Sequence, residues 1–360
     1  MRLVHIDDIN TQDRNVVLAQ TVIDSRGRAL LRRGVKLTER LVDLLAAHGV
    51  YYVYVTEREI RDDIPDLMQE ETRVQATQAL QRIFDDGRFG NAYVLKDVRA
   101  AVGRILEDLL SRPFALQALT EARAVEGYTT AHSVSVCALS VLIGMSLGYD
   151  RARLYELAAG ALLHDVGKAT IPRDILHKEG PLTEPELEVV REHTTYGFEW
   201  LKACQGISLP TSYVAYQHHE RLDGSGYPRG LKGRDIHPYA RITAVADVFD
   251  AITTDRPYRR RVPTYEAVQS ILRESGAKFD RRVCAALLRR VAIFPPGAQV
   301  KLSTGERAIV LAVPSEVPTR PEVYLVTDAE GRPLTRPRRL RLLAHPEIRV
   351  VEAALGTTRS

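Results

Sequence analysis

The sequence predicts a mainly α protein: a helical bundle flanked by a small N-terminal α/β module and a small C-terminal β-barrel-like module. Three observations predict it. Apolar residues recur at helical spacing through the middle of the chain, as at Leu154, Leu157, Ala158, Ala161 and Leu162. Short apolar runs bounded by turn residues fill the chain after Phe294. Phe294-Pro295-Pro296-Gly297 breaks one pattern from the other. The divisions read as 1–60 for the α/β module, 61–126 for a helical connector or dimerisation segment, 127–293 for the bundle and 297–353 for the β-rich module.

Length and composition narrow the class. At 360 residues, 45% hydrophobic and 27% charged, the chain has the makeup of an ordinary soluble globular protein with room for two or three domains. A net charge of +4 suits a small anionic ligand better than a nucleic-acid duplex, and no helix shows a dense basic face. Cys137, Cys204 and Cys284 are isolated, which fits reduced thiols in the cytoplasm and no zinc ribbon. No apolar signal segment opens the chain, and the stretch from Ser133 to Leu147 is too short to span a membrane, so it reads as a buried helix.

The N-terminal module should carry a strand within Asn15–Ile23, a turn at Asp24-Ser25-Arg26-Gly27, a helix capped by Thr38 and a β-rich run from Val50 to Val55. The connector shows one stripe, Val94, Val98, Val102, Ile105 and Leu109. In the bundle, His132 shares a helical face with Val136, Leu139 and Ile143. A core-facing helix then runs from Leu154 to Asp165, with His164 and Asp165 near its end. Glu184-Pro185-Glu186 starts a helix, with proline in the tolerated first turn and acids at the positive end. It places Val190, His193, Gly197 and Trp200 on one side. The next helix ends in His218-His219, before a glycine-rich loop carrying Tyr227. Arg241 to Thr254 is an apolar helix interrupted by Asp247 and Asp250, of which Asp247 is the better ligand candidate and Asp250 can cap or pair locally. Thr264 and Asp280 should cap two further helices. The β-rich module shows strands at Gln299–Leu302, Ala308–Val313 and Val323–Thr327, with an Arg-rich stretch (Arg336, Arg338, Arg339, Arg341) best read as a solvated face.

His132, His164, Asp165, His193, His218, His219 and Asp247 come from separate helices and turn apolar faces into donor sets. A carboxylate and imidazoles on a packed face are costly unless something pairs them, and a divalent metal pairs both. Seven N/O donors exceed one tetrahedral ion and suit two ions with a bridging carboxylate, the arrangement that hydrolyses phosphate esters. Lys168, Arg256 and Arg259 would be the accompanying cations, and Gly167 permits a close approach.

The segment from about 128 to 292 resembles the HD-GYP domain, a branch of the HD phosphohydrolases. The matching motifs are His164-Asp165-x-x-Lys168, then His218-His219-Glu220-Arg221-x-Asp223-Gly224-x-Gly226-Tyr227-Pro228, then Asp247 followed by Asp255-Arg256-Pro257-Tyr258-Arg259. The resemblance implies an HD-type catalytic bundle that opens cyclic di-GMP to pGpG, with continuation to GMP open, by attack of a metal-bridging hydroxide. His132, His164, Asp165 and Asp247 would hold one metal, and Asp165 would bridge to a second held by His193, His218 and His219. Asp165 and Lys168 would be catalytic, while Lys168, Tyr227, Arg256 and Arg259 would hold substrate. Iron or manganese is the expected metal, with zinc also compatible. Some members place a Glu four residues before the first ligand histidine and bind a third metal; Tyr128 stands there, so two metals are expected. A homodimer and protein partners in second-messenger signalling are also expected. The competing readings are a non-catalytic nucleotide-binding or protein-interaction module and an enzyme for another cyclic dinucleotide.

Overall fold

The computed structural model describes residues 2–9, 11, 16–19, 21–23, 28–50, 52–57, 68–86, 92–111, 128–176, 178, 180–254, 262–294, 296–314 and 317–354. The predicted turn at Asp24–Gly27 lies outside them.

The N-terminal module contains β1 (Arg2–His5), β2 (Val16–Leu18), β3 (Val22–Ile23), β4 (Ala29–Leu31), α1 (Glu39–Ala47) and β5 (Tyr52–Glu57). Antiparallel pairing gives a three-stranded sheet in the order β1-β5-β2 and a β3-β4 pair. Val4, Leu18, Leu37, Leu45, Val50 and Val53 form its own apolar core.

Two long helices follow, α2 (Glu70–Asp86) and α3 (Ala92–Leu110). The bundle proper begins with α4 (Tyr128–Ser146) and α5 (Arg151–Leu162). Then come the short α6 (Arg173–Leu176), α7 (Glu184–Arg191), α8 (His193–Ala203), α9 (Leu209–Gln217) and α10 (Pro238–Thr253). It closes with α11 (Thr264–Arg273) and α12 (Arg281–Leu288). Local chemistry sets the starts. Asp150 accepts from Arg153 N, Ser208 from Thr211 N and Asp280 from Arg282 N, each meeting a backbone donor that a helix start leaves open. The predicted cap Thr264 is instead the first residue of α11, with Pro263 before it.

α4 is apolar nearly all round because it is enclosed on several sides. Val136, Leu139 and Ile143 belong to one core cluster, and Val134, Cys137, Val141 and Leu142 to a second shared with α2, α3 and α5. By length and composition this helix would also suit a membrane, but 78% of its 18-residue window is buried within the protein.

The C-terminal region forms an antiparallel sheet in the order β10-β6-β7-β8-β9, from β6 (Gln299–Leu302), β7 (Arg307–Ala312), β8 (Glu322–Thr327), β9 (Pro333–Arg341) and β10 (Val350–Ala354). The sheet is open: β9 and β10 are its edges and do not pair among the described residues, which corrects the barrel-like expectation. The Arg-rich stretch is itself strand β9. Its arginines and Pro337 break apolar alternation, and an edge strand tolerates both. Val300, Leu302, Val310, Val323 and Leu325 face inward and join the cluster of Ile293, Phe294, Val245 and Phe249, so sheet and bundle share one core.

Candidate metal centre

The site is assembled where α4, α5, α8, α9 and α10 meet. α5 stops at Leu162, earlier than the apolar spacing suggests, and a 3-10 turn follows at Val166–Thr170. His164 and Asp165 therefore sit in the bend and not on a continuing helix. The turn can lie against α8 because residue 167 is glycine. A Cβ there would stand 2.0 Å from the His193 carbonyl oxygen.

Three rings are oriented alike. His164 Nδ1 donates to the Ala161 carbonyl at 2.8 Å and His193 Nδ1 to that of Val190 at 2.6 Å. His218 Nδ1 shares the Val214 and Ala215 carbonyls, each at 3.0 Å. A carbonyl only accepts, so each Nδ1 carries the proton and each Nε2 turns a lone pair inward. They face Asp165: His164 Nε2 is 3.4 Å from Oδ2, while His193 Nε2 and His218 Nε2 are 3.4 and 3.8 Å from Oδ1. All four side chains are buried. His164 Nε2 and Asp165 Oδ1 have no hydrogen-bond partner. Lone pairs converging on a buried carboxylate repel, and unpaired buried polar atoms are costly. A cation resolves both, so this donor set fits a divalent metal, with the backbone bonds orienting the ligands.

Donor atoms fall into two overlapping groups, each mutually within 4.8 Å: Asp165 with His193, His218 and His219, and Asp165 with His132 and His164. Asp247 stands beside both groups, with Oδ1 3.0 Å from His132 Nε2 and Oδ2 4.0 Å from His219 Nδ1. Lys168 Nζ reaches Asp165 Oδ2 at 2.6 Å. The seven candidate ligands and Lys168 are thus brought together. Arg256 and Arg259 lie outside the described residues, as does the side chain of Tyr128.

The electrostatics suit metal capture. Burial lowers His193 to about 4 and holds His218 and His219 well below the usual histidine range, so these rings are neutral. Burial would raise Asp165, but the Lys168 ammonium, with His164 and His193, holds it well below the usual carboxylate range. Asp247 is also held low: burial opposes ionisation, and the bond from His132 prevails. His132 differs. Burial works against its charge, yet bonds to Asp247 and Asp250 raise it to about 9, so a proton occupies the place between His132 and Asp247 that a cation would take.

Asp250 is the residue that sequence reasoning undervalued. Its Oδ2 holds His132 Nδ1 at 2.7 Å, with both side chains buried, and so orients the other ring nitrogen toward Asp247. The only sequence signal is its position one helical turn beyond Asp247.

The glycine-rich loop is folded by its own motif. Glu220 accepts from Arg229 N at 2.8 Å and Leu231 N at 2.9 Å, pinning the far side of the loop. Arg221 bonds the carbonyls of His218 and Glu220 while lying over Phe279. Asp223 Oδ1 takes Ser225 N and Oγ. Gly226 is pressed against the His219 carbonyl, where a Cβ would be 2.4 Å away. The product is Tyr227, half-buried and stacked on His219 at 4.6 Å and 25°. Burial, then the nearby Asp165 and Asp247, raise its phenol.

Comparison with known proteins gives two family matches. The HD domain matches residues 104–283, and a KOW domain associated with the HD domain matches residues 299–359. A cyclic di-GMP phosphodiesterase of Pseudomonas aeruginosa is 38% identical over 237 residues, covering 66% of this chain and 57% of that protein. A cyclic di-GMP phosphodiesterase of Thermotoga maritima is 42% identical over 175 residues, covering 48% of this chain and 47% of that protein. A 3'3'-cGAMP-specific phosphodiesterase of Vibrio cholerae is 36% identical over 185 residues, 51% of this chain and 42% of that protein. The matched region is less than two thirds of each relative's length.

Proposed function

The chain belongs to the HD-domain family, in its HD-GYP branch, and from that premise we propose that it hydrolyses cyclic di-GMP to pGpG with two divalent metal ions at the buried histidine–aspartate cluster. The observation that carries this reading is the convergence of unprotonated Nε2 atoms on Asp165, with His164 Nε2 and Asp165 Oδ1 left without a hydrogen-bond partner. His132, His164, Asp165 and Asp247 would hold one ion, and Asp165, His193, His218 and His219 the other. Iron or manganese suits these N/O donors. Bound there, the ions would supply Lewis acidity to phosphate oxygens and acidify water.

The chain's own residues do the rest. Lys168 is 23% exposed at its side chain and bonds Asp165, and its remaining N–H groups would serve a phosphate oxygen. Asp250 keeps His132 in one ring orientation. Tyr227 covers the His219 ring. Among the described residues the three cysteines are free, which fits a reducing cytoplasm.

Another substrate has a specific observation behind it, since the Vibrio relative is named for 3'3'-cGAMP. Competition between the two cyclic dinucleotides at one active site separates the readings. The primary test is elemental analysis of protein purified without oxygen, paired with turnover of cyclic di-GMP. Two metals per chain and turnover are expected. Cyclic di-GMP left intact by the metal-loaded protein, with Asp165→Ala behaving identically, overturns the proposal.

A further inference from the structure

We infer that Arg191 is a specificity-determining residue that reads a guanine base of the substrate. The inference rests on the reading of this site as a guanine-dinucleotide site. His219, Tyr227 and Arg191 form one stack: the Tyr227 ring lies 4.6 Å from that of His219, and the Arg191 guanidinium carbon lies 5.5 Å above the Tyr227 centroid. The lowest layer is a candidate metal ligand, so the guanidinium stands two layers out from the cluster. We read this outer layer as the place of a base whose phosphate would be held at Asp165 and Lys168.

Arg191 is fixed on one side and open on the other. It is the last residue of α7, and Glu184 and Glu188, on the same helix, both contact its Nη1, the former at 3.7 Å. No bond among the described residues engages Nε or Nη2. An aromatic face beneath and carboxylates at one corner set the plane of the guanidinium and leave one donor edge outward.

Charge decides what this edge takes. Two carboxylates beside one guanidinium leave little positive charge to attract a phosphate. They do not remove the paired N–H donors. Paired planar donors match the O6 and N7 acceptors of guanine, whereas adenine offers a donor at the position of O6. Phosphate falls to Lys168, which touches the candidate ligand carboxylate of Asp165.

The test is equilibrium binding of fluorescent cyclic di-GMP to the full-length, metal-loaded protein, competed by unlabelled cyclic di-GMP and by cyclic di-AMP. Arg191→Ala should lower the ratio of guanine to adenine affinity about tenfold. Arg191→Lys, which keeps the charge and loses the fork, should not restore it. Arg191→Met, with a similar stem and no donors, repeats the measurement if the alanine variant loses metal or melts early. An equal loss for both nucleotides, rescue by lysine, or an unchanged ratio overturns the inference. So does failure of the wild-type protein to bind either nucleotide. Binding with the expected selectivity but no turnover would sink the phosphodiesterase reading and leave the role of Arg191 standing.

Discussion

In the bundle, Asp165 is 2% exposed and His218 0%, surrounded by other titratable groups. In the C-terminal sheet, Arg339 and Arg341 meet Glu322 at the surface, and the inward positions are Val323 and Leu325. Both regions draw on one continuous apolar core. Charge at the sheet surface costs little and contributes little. Charge in the bundle costs stability unless a ligand completes it. The bundle is therefore the region organised for chemistry, and the sheet is organised for packing.

The largest expected effect comes from removing the residue common to both donor groups. Asp165→Ala should reduce turnover on the order of a thousandfold and lower metal per chain. Retained metal with retained turnover would break the contrast between the regions at its centre.

Leu325→Ala tests the other side. Loss of a fully packed leucine should cost about 2–5 kcal/mol in urea unfolding, with metal per chain unchanged. Metal loss in the folded variant would mean that sheet packing also shapes the donor set.

Chelation sharpens the comparison without mutation. Dialysis against a chelator should lower the thermal midpoint by about 5–10 °C, and manganese should restore it. An identical midpoint for both forms would show that the buried cluster is tolerated without a cation.

Acid titration of the metal-free protein separates two histidines within the bundle. His193 is lowered to about 4, so its contribution is present above the unfolded value near 6.5 and lost as pH falls toward 4; His218 and His219 share this sign. His132 is raised to about 9, so its contribution is present below about 6.5 and lost as pH rises through 9. Urea midpoints should fall on both sides, with the acid slope reduced in His193→Gln and the alkaline slope in His132→Gln. Unchanged slopes in those variants would contradict the assigned protonation states.

The smallest effect belongs to the sheet surface. Arg339→Ala should change stability by about 0–1 kcal/mol, because its partner Glu322 keeps Arg341 and the Arg339 side chain is itself exposed. A larger loss would show that the sheet, too, depends on specific charge.

Much of the cluster was legible in the chain. His164-Asp165-x-x-Lys168 and His218-His219 are local patterns, and Asp247 stands out as a carboxylate among apolar neighbours. The end of α5 was not legible, because apolar spacing runs on through Val166 while the backbone bends at Leu163 to bring Asp165 under His193. Closure of the C-terminal sheet was not legible either. Strand patterns report which residues face inward, whereas closure depends on whether β9 and β10 meet.

The sequence by itself determined the candidate donors and their order along the chain, because side-chain chemistry and helix periodicity are local properties. Only the tertiary structure decided which of these side chains stand together. His132 and Asp250 are 118 positions apart and touch because α4 packs on α10. Arg191 reaches Tyr227 because the glycine-rich loop folds back over His219. Such contacts depend on how the elements pack, and no residue spacing encodes the distance between two helices.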